Sequence, residues 1–232
     1  SMIQAIILAG GLGTRMAEYT KTIPKPMIKI GKKPMIEHIM EHYNKFGVND
    51  FIIAGGYKYE VIKKYLNSKK FNYKVKLVYT GKESLTGGRL KRLEKFVLND
   101  DFFLTYGDGI SNINIKKLYN FHKLHRKIAT VSAVHPVARF GELNLRNNLV
   151  LKFKEKPQVA SGWINGGFFV FKKKIFKYLK NDQTILEKRP LEMLSKERQL
   201  LAFKHEGFWQ CVDTKRERDV LDKTLRKYSA FR

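Results

Sequence analysis

Three apolar runs in the first half of the chain each stop at glycine. Residues 3–9 run into Gly10-Gly11, residues 51–54 into Gly55-Gly56, and residues 102–106 into Gly107-Asp108-Gly109. Short β-branched and aromatic runs bounded by glycine predict buried strands. A fourth run, residues 73–79, alternates Val75, Leu77 and Tyr79 with polar positions and predicts a strand with one covered face. Between these runs the period changes. Residues 34–43 open with Pro34 at a first helical position, carry apolar residues at helical spacing and end at Phe46-Gly47, residues 60–66 predict a second helix, and residues 88–97 place Leu90, Leu93, Phe96 and Val97 on one helical face.

Strands alternating with helices at this spacing imply right-handed crossovers and a largely parallel sheet covered on both faces. The expected fold is therefore α/β, Rossmann-like and three-layered, with a mostly parallel central sheet. Ligands in such sheets sit beyond the carboxyl ends of the strands, which puts the loop at Gly10 and the Gly107-Asp108-Gly109 turn on one rim. Beyond Ile113 the pattern predicts a helix to about His125 and then short strands at 129–134, 142–145, 150–153 and 167–171, expected as a mixed β extension over the site.

No repeat, low-complexity tract or linker interrupts the 232 residues, so a single domain is expected, and 43% apolar content is enough for one sizeable core. No stretch approaches the run of about 18 apolar residues that a membrane helix requires. Ser1-Met2 is expected to be the remnant of a cleaved tag, and no signal-peptide pattern follows it. The only cysteine, Cys211, excludes an internal disulfide framework. A cytoplasmic protein is expected.

The formal charge of +25 raises the question of nucleic-acid binding. Its distribution answers otherwise, because the lysines are scattered along the chain without a dense tract or a reading helix. They fit a solvated surface that draws in polyanionic substrates.

The candidate chemistry starts at the first glycine loop. Gly10-Gly11-Leu12-Gly13-Thr14-Arg15 lacks the third glycine of a dinucleotide fingerprint and the Lys-Ser/Thr ending of a Walker loop. It still brings backbone N–H groups close to a ligand, and two cations follow: Arg15, and Lys25 fixed between Pro24 and Pro26. A phosphate site is expected there.

Asp108 fits either a turn or a metal ligand. Asp213 follows the apolar stretch 208–212, and since Thr214 with Glu217 already forms a capping box for the next helix, it is not needed as a cap. Two carboxylates without nearby histidine or cysteine ligands suit a hard ion such as Mg²⁺. Lys156 in Glu155-Lys156-Pro157 fits either a phosphate contact or a solvated turn. Asn165-Gly166-Gly167 and Arg139-Phe140-Gly141 offer amides and close backbone for reading sugar hydroxyls.

Together these segments resemble the sugar 1-phosphate nucleotidyltransferases, through Gly-Gly-x-Gly-Thr-Arg followed by Pro-Lys-Pro-Met. Residues 84–92 (Ser-Leu-Thr-Gly-Gly-Arg-Leu-Lys-Arg) and Gly207-Phe208-Trp209-Gln210 resemble the glucose-1-phosphate cytidylyltransferases in particular. The resemblance implies CTP and α-D-glucose 1-phosphate as substrates, CDP-glucose and pyrophosphate as products, Mg²⁺ as cofactor, and a homo-oligomer. It also implies catalytic Arg15, Lys25, Asp108 and Asp213, with the two aspartates as metal ligands. The nucleotide site it implies comprises Leu8, Ala9, Gly10, Gly11, Leu12, Gly13, Thr14, Arg15, Lys25, Ser84, Thr86, Gly88, Arg89 and Gly107. Gly141, Glu155, Lys156, Asn165 and Gly166 are the candidates for the sugar phosphate. Residues 1–112 would then be the nucleotide-binding half, and 113–232 the sugar-binding and metal-completing half.

One departure is a short segment at 67–79, where members of that family carry a longer one. The rival readings are a nucleotidyltransferase using GTP, UTP or dTTP with another sugar 1-phosphate and, more remotely, a basic nucleic-acid-binding protein.

Overall fold

A computed structural model of the chain describes residues 2–227. The strands in chain order are β1 (Ala5–Ala9), β2 (Lys29–Ile30), β3 (Lys33–Pro34), β4 (Asp50–Gly55), β5 (Lys74–Tyr79), β6 (Asp101–Tyr106), β7 (Gly109–Ser111), β8 (Ala129–Val134), β9 (Glu142–Arg146), β10 (Leu149–Lys154), β11 (Ile164–Lys172), β12 (Leu200–Lys204) and β13 (Trp209–Cys211). The helices are α1 (Ala17–Thr20), α2 (Met35–Lys45), α3 (Tyr59–Asn67), α4 (Thr86–Lys91), α5 (Ile115–His125), α6 (Arg189–Lys196) and α7 (Lys215–Lys227).

Seven strands form one sheet in the order β12-β8-β11-β6-β1-β4-β5. All neighbours are parallel except β11, which runs antiparallel to both β6 and β8. The period-2 alternation of each central strand sends its side chains to two opposite cores. Ile6, Leu8, Phe102, Leu104, Phe169 and Phe171 pack with Leu90 of α4 and Leu191 and Leu194 of α6. Ala5, Ile7, Phe51, Ile53, Phe103 and Val170 pack with Ile36, Met40 and Tyr43 of α2, Ile62 of α3 and Leu118 of α5. The three layers follow from this division.

The structure differs from the sequence pattern in the second half. β8 and β11 join the central sheet instead of standing apart from it: both are largely buried, and their backbones pair with each other and with β6 and β12. Only β9 and β10 form the separate hairpin, with Leu145 opposite Val150 and Leu143 opposite Phe153 on one exposed face. The helix expected at 88–97 starts earlier, at Thr86, and ends at Lys91; Leu93 and Phe96 follow in and around a 3₁₀ turn.

A third apolar cluster positions the site. Met16 beyond the glycine loop, Ile28 and Ile30, Met35, Ile110, Val212 and Leu221 and Leu225 of α7 pack together. The C-terminal helix is thereby clamped across the segment that carries Lys25. β13 pairs antiparallel with β7, Cys211 opposite Gly109, and the Val212 N–H donates to the Asp108 carbonyl at 2.7 Å. This pairing carries Asp213 to Asp108 over more than a hundred residues of chain.

Candidate active site

A cleft of about 330 Å³ opens at the carboxyl ends of β1 and β6, lined by Leu8, Ala9, Gly10, Gly11 and Gly13, by Lys25 and Pro26, by Ser84, Leu85, Thr86 and Arg89, and by Tyr106, Gly107 and Asp108. Leu12, Thr14 and Arg15, on the same loop, lie at its mouth outside this lining, and Gly88 is buried.

The glycines of the loop have specific reasons. Gly13 has φ 62°, the left-handed region that side chains rarely adopt, and its carbonyl accepts from the Thr20 hydroxyl at 2.9 Å. A Cβ on Gly10 would fall 2.0 Å from the Arg89 guanidinium. Arg89 is 4% exposed and donates to Thr80 Oγ1 at 2.9 Å, the Gly81 carbonyl at 2.7 Å and the Ser84 carbonyl at 2.5 Å. It therefore braces the loop at 80–84 against Gly10, and most of its donors are committed to protein. By contrast, the N–H groups of Gly11, Leu12, Gly13, Thr14 and Arg15 donate to no acceptor among the described residues. Free donors on a glycine loop that borders the cleft through Gly11 and Gly13 are of the kind that can receive an anion.

Lys25 begins a 3₁₀ turn closed by the Met27 N–H donating to the Pro24 carbonyl at 2.9 Å. The turn aims a largely buried ammonium between two carboxylates, 2.6 Å from Asp213 Oδ1 and 3.8 Å from Asp108 Oδ2. Arg15 Nη1 lies 4.0 Å from Asp213 Oδ2, with its side chain 80% exposed and so free to meet a ligand. The four residues singled out as catalytic in the sequence therefore meet in one place.

Burial pushes the Asp108 carboxyl up, with Lys25 opposing and the Asp213 charge adding to the rise. Burial also works on Asp213, but the hydrogen bond and charge of Lys25, with Arg15, outweigh it and hold that carboxyl below its ordinary value. Cys211, whose Sγ lies 3.7 Å from Asp213 Oδ2, is pushed up to about 12 by burial and by the Asp213 and Asp108 carboxylates. It stays a thiol at neutral pH and offers no soft thiolate ligand.

The donor set fits Mg²⁺. Two hard carboxylates converge on a single cation, Lys25 Nζ, and no cluster of three or more protein ligands occurs among the described residues. Such a pair suits an ion that takes its remaining oxygens from phosphate and water.

Thr214 and Glu217 cap α7 as expected, with the Glu217 N–H donating to Thr214 Oγ1 at 3.1 Å, but the Glu217 carboxylate receives the Asp213 N–H at 3.2 Å. The cap thus also fixes the backbone of Asp213.

The sugar-side candidates separate into two groups. Asn165 adjoins the cleft through its Nδ2, 3.0 Å from the Tyr106 hydroxyl, and the Gly166 carbonyl accepts from Trp209 Nε1 at 2.8 Å. Gly141, Glu155 and Lys156 are exposed at the root of the β9–β10 hairpin and are not part of the cleft lining; Lys156 has φ 30°.

One residue escaped the sequence reading altogether. Glu187 accepts from Thr86 Oγ1 at 2.7 Å and from the Tyr106 hydroxyl at 2.7 Å. These partners are 101 and 81 residues away, and no local pattern announces them.

This is the architecture of an α/β enzyme that holds a phosphorylated ligand at the carboxyl edge of its sheet. The chain belongs to the nucleotidyl transferase family, whose pattern matches residues 4–216. It is 44% identical to the glucose-1-phosphate cytidylyltransferase of Salmonella typhimurium, over 95% of each chain. It is 38% identical to the probable glucose-1-phosphate cytidylyltransferase of Bacillus subtilis, over 91% of this chain and 92% of the relative. Among solved structures, HddC from Yersinia pseudotuberculosis complexed with GMP-PN superimposes with a TM-score of 0.77 at 27% identity, covering 97% of this chain and all of that one.

Proposed function

We propose that this chain transfers the cytidylyl group of CTP to α-D-glucose 1-phosphate, giving CDP-glucose and pyrophosphate. The observation that carries the reading is Lys25 seated between Asp108 and Asp213 at the floor of a cleft bordered by a glycine loop with free N–H groups. The identity of the substrates is supported by the 44% identity to the Salmonella enzyme.

In the proposed reaction a phosphate oxygen of the sugar 1-phosphate bonds to the α-phosphorus of CTP as the bond from that phosphorus to the bridging oxygen breaks. The bridging oxygen leaves with pyrophosphate and its charge. The nucleophile is already an anion, so no side chain needs to remove a proton, and the protein's part is alignment and charge neutralisation. The N–H groups of residues 11–15 and the Arg15 guanidinium hold the triphosphate. Lys25 stabilises the α-phosphoryl oxygens as charge builds there. Asp108 and Asp213 would hold Mg²⁺, which would supply further neutralisation of phosphoryl oxygens. Asn165 and Gly166 flank the acceptor sugar, and Gly141, Glu155 and Lys156 would reach it from the hairpin root.

The division into a nucleotide half at 1–112 and an acceptor half at 113–232 of one domain belongs to the same proposal, supported by strands of both halves sharing one sheet. No helix among the described residues is long and apolar enough to cross a membrane. A cytoplasmic location is proposed because CTP is drawn from that compartment, and a homo-oligomer is proposed as well. The nearest rival is guanylyl transfer, favoured by the GMP-PN complex of HddC at 27% identity, well below that of the cytidylyltransferases. Pyrophosphate release with glucose 1-phosphate and Mg²⁺, run in parallel with CTP, GTP, UTP and dTTP, decides between them. The proposal expects CTP to be preferred, and preference for any other triphosphate rejects it.

A further inference from the structure

Glu187 lies in the segment leading into α6, half-buried and outside the cleft lining. Its two carboxylate oxygens are shared between the two sides of the cleft. One accepts from Thr86, the first residue of α4, and the other from Tyr106, the last residue of β6, both at 2.7 Å. Each hydroxyl oxygen in turn accepts from a placed N–H group: Thr86 from the Leu186 backbone at 2.9 Å, and Tyr106 from Asn165 Nδ2 at 3.0 Å.

The polarity of this chain of bonds has only one solution. A carboxylate only accepts, so both hydroxyl protons must point at Glu187. With the phenol proton committed, the Tyr106 oxygen faces Asn165 as an acceptor and must meet the amide nitrogen. Asn165 Oδ1 independently takes the Gly167 N–H at 2.8 Å, which fixes the same orientation of the amide. The second Nδ2 proton of Asn165 has no partner among the described residues, and the residue is exposed.

We infer that Glu187 is a positioning residue: through Tyr106 it sets the direction in which Asn165 offers its free N–H to a hydroxyl of the acceptor sugar, and through Thr86 it ties that direction to the nucleotide side of the cleft. This rests on the reaction proposed above. Glu187 touches neither substrate. Replacing it by Ala removes the acceptor of both hydroxyl protons, and the phenol of Tyr106 loses its partner. Its proton is then free to face Asn165 Nδ2, donor against donor, which pushes the amide out of line against the one bond from Gly167 that still holds it.

The test is steady-state kinetics of Glu187→Ala, Tyr106→Phe and the double variant, with thermal melting of each, using the triphosphate and sugar 1-phosphate that the wild-type protein turns over. That choice of substrates keeps a failure of the cytidylyl or glucose assignment separate from a failure of this inference. The expected result is a rise of about tenfold in KM for the sugar 1-phosphate in each single variant, the scale of one hydrogen bond between neutral groups. kcat should change less than about threefold, and the double variant should be no worse than the worse single, because both act through one chain of bonds. A merely structural role would lower the melting temperature and the active fraction, and so kcat, while leaving KM in place. That result overturns the inference, as does a sugar KM that is unchanged in either single variant or that multiplies in the double.

Discussion

A lysine flanked by prolines loses little backbone freedom when it is put to use, and Lys25 is further held by the carboxylates on either side of it. Lys25→Ala is expected to lower kcat about 100-fold or more, the scale for losing one group that stabilises developing oxyanion charge, with a smaller effect on KM. A rise in KM alone would make it a binding contact. Asp108→Asn and Asp213→Asn are each expected to abolish Mg²⁺-dependent turnover and to weaken Mn²⁺ binding, read directly by paramagnetic resonance, with far-ultraviolet circular dichroism unchanged. Retained Mn²⁺ binding in both would remove the metal assignment. Cys211, beside the same carboxylates and pushed up to about 12, is expected to resist iodoacetamide at pH 7.5 and to become labelled only upon unfolding in urea. Rapid labelling of the native protein would contradict the electrostatics described here.

At the scale of elements, the glycine-terminated runs were legible because strand and turn signals there are local. β1, β4 and β6 fall where residues 3–9, 51–54 and 102–106 predict them, and the Thr214–Glu217 cap opens α7 as its spacing implies. The place of Asp108 on the rim beside the glycine loop followed from the strand pattern and Asp213 was matched to it by residue type, but the contact between them left no local signal, since the pairing of β7 with β13 that creates it joins distant segments. α6 and β12 gave no usable signal. α6 has eight residues and three buried positions, too short a run for periodicity to stand out, and β12 is only partly covered at the sheet edge. Glu187 was hidden for a related reason, its partners being brought by tertiary contact.

The clamp of α7 on the site has its own test. Asp222, 7% exposed, accepts the Gly31 N–H at 2.5 Å and pairs with Arg226 Nη2 at 3.1 Å. Asp222→Ala is expected to lower the unfolding free energy by about 1–3 kcal/mol, the cost of leaving a buried donor without a partner, as measured by urea denaturation. No change in the urea midpoint would show that the apolar contacts of Leu221 and Leu225 hold the helix without it.

For the whole molecule, the pH dependence of stability follows from half-buried histidines and the buried Glu37. Burial, with Lys45 and His205 adding, holds His42 below the ordinary imidazole value of 6.5, even though its Nε2–H donates to the Ile113 carbonyl at 2.7 Å. Between that lowered value and 6.5 the unfolded chain binds a proton that the folded chain does not, so acidification favours unfolding. Glu37 behaves differently. Burial raises its carboxyl, but the hydrogen bonds from Lys69 and Tyr65 outweigh this and hold it below 4.5. Its contribution is complete above 4.5 and is lost as pH falls through the folded value. The urea midpoint is therefore expected to fall between pH 7.5 and pH 5.5, before Glu37 matters. His42→Gln, which keeps an N–H donor for Ile113, should flatten that fall in part, leaving a residual slope from His125, whose imidazole burial also lowers. An unchanged slope in the variant would remove His42 as its source.

The excess of positive charge suits a protein whose substrates are polyanions, and it would favour their approach to the cleft where a guanidinium and an ammonium meet. What happens there is most directly seen by ³¹P nuclear magnetic resonance of the protein with Mg²⁺ and equimolar CTP and glucose 1-phosphate. The account predicts loss of the three CTP resonances and the glucose 1-phosphate signal, with the paired diphosphate resonances of CDP-glucose and the single resonance of pyrophosphate growing in equal molar amounts. Unchanged CTP, or CMP and pyrophosphate with glucose 1-phosphate left over, would contradict it.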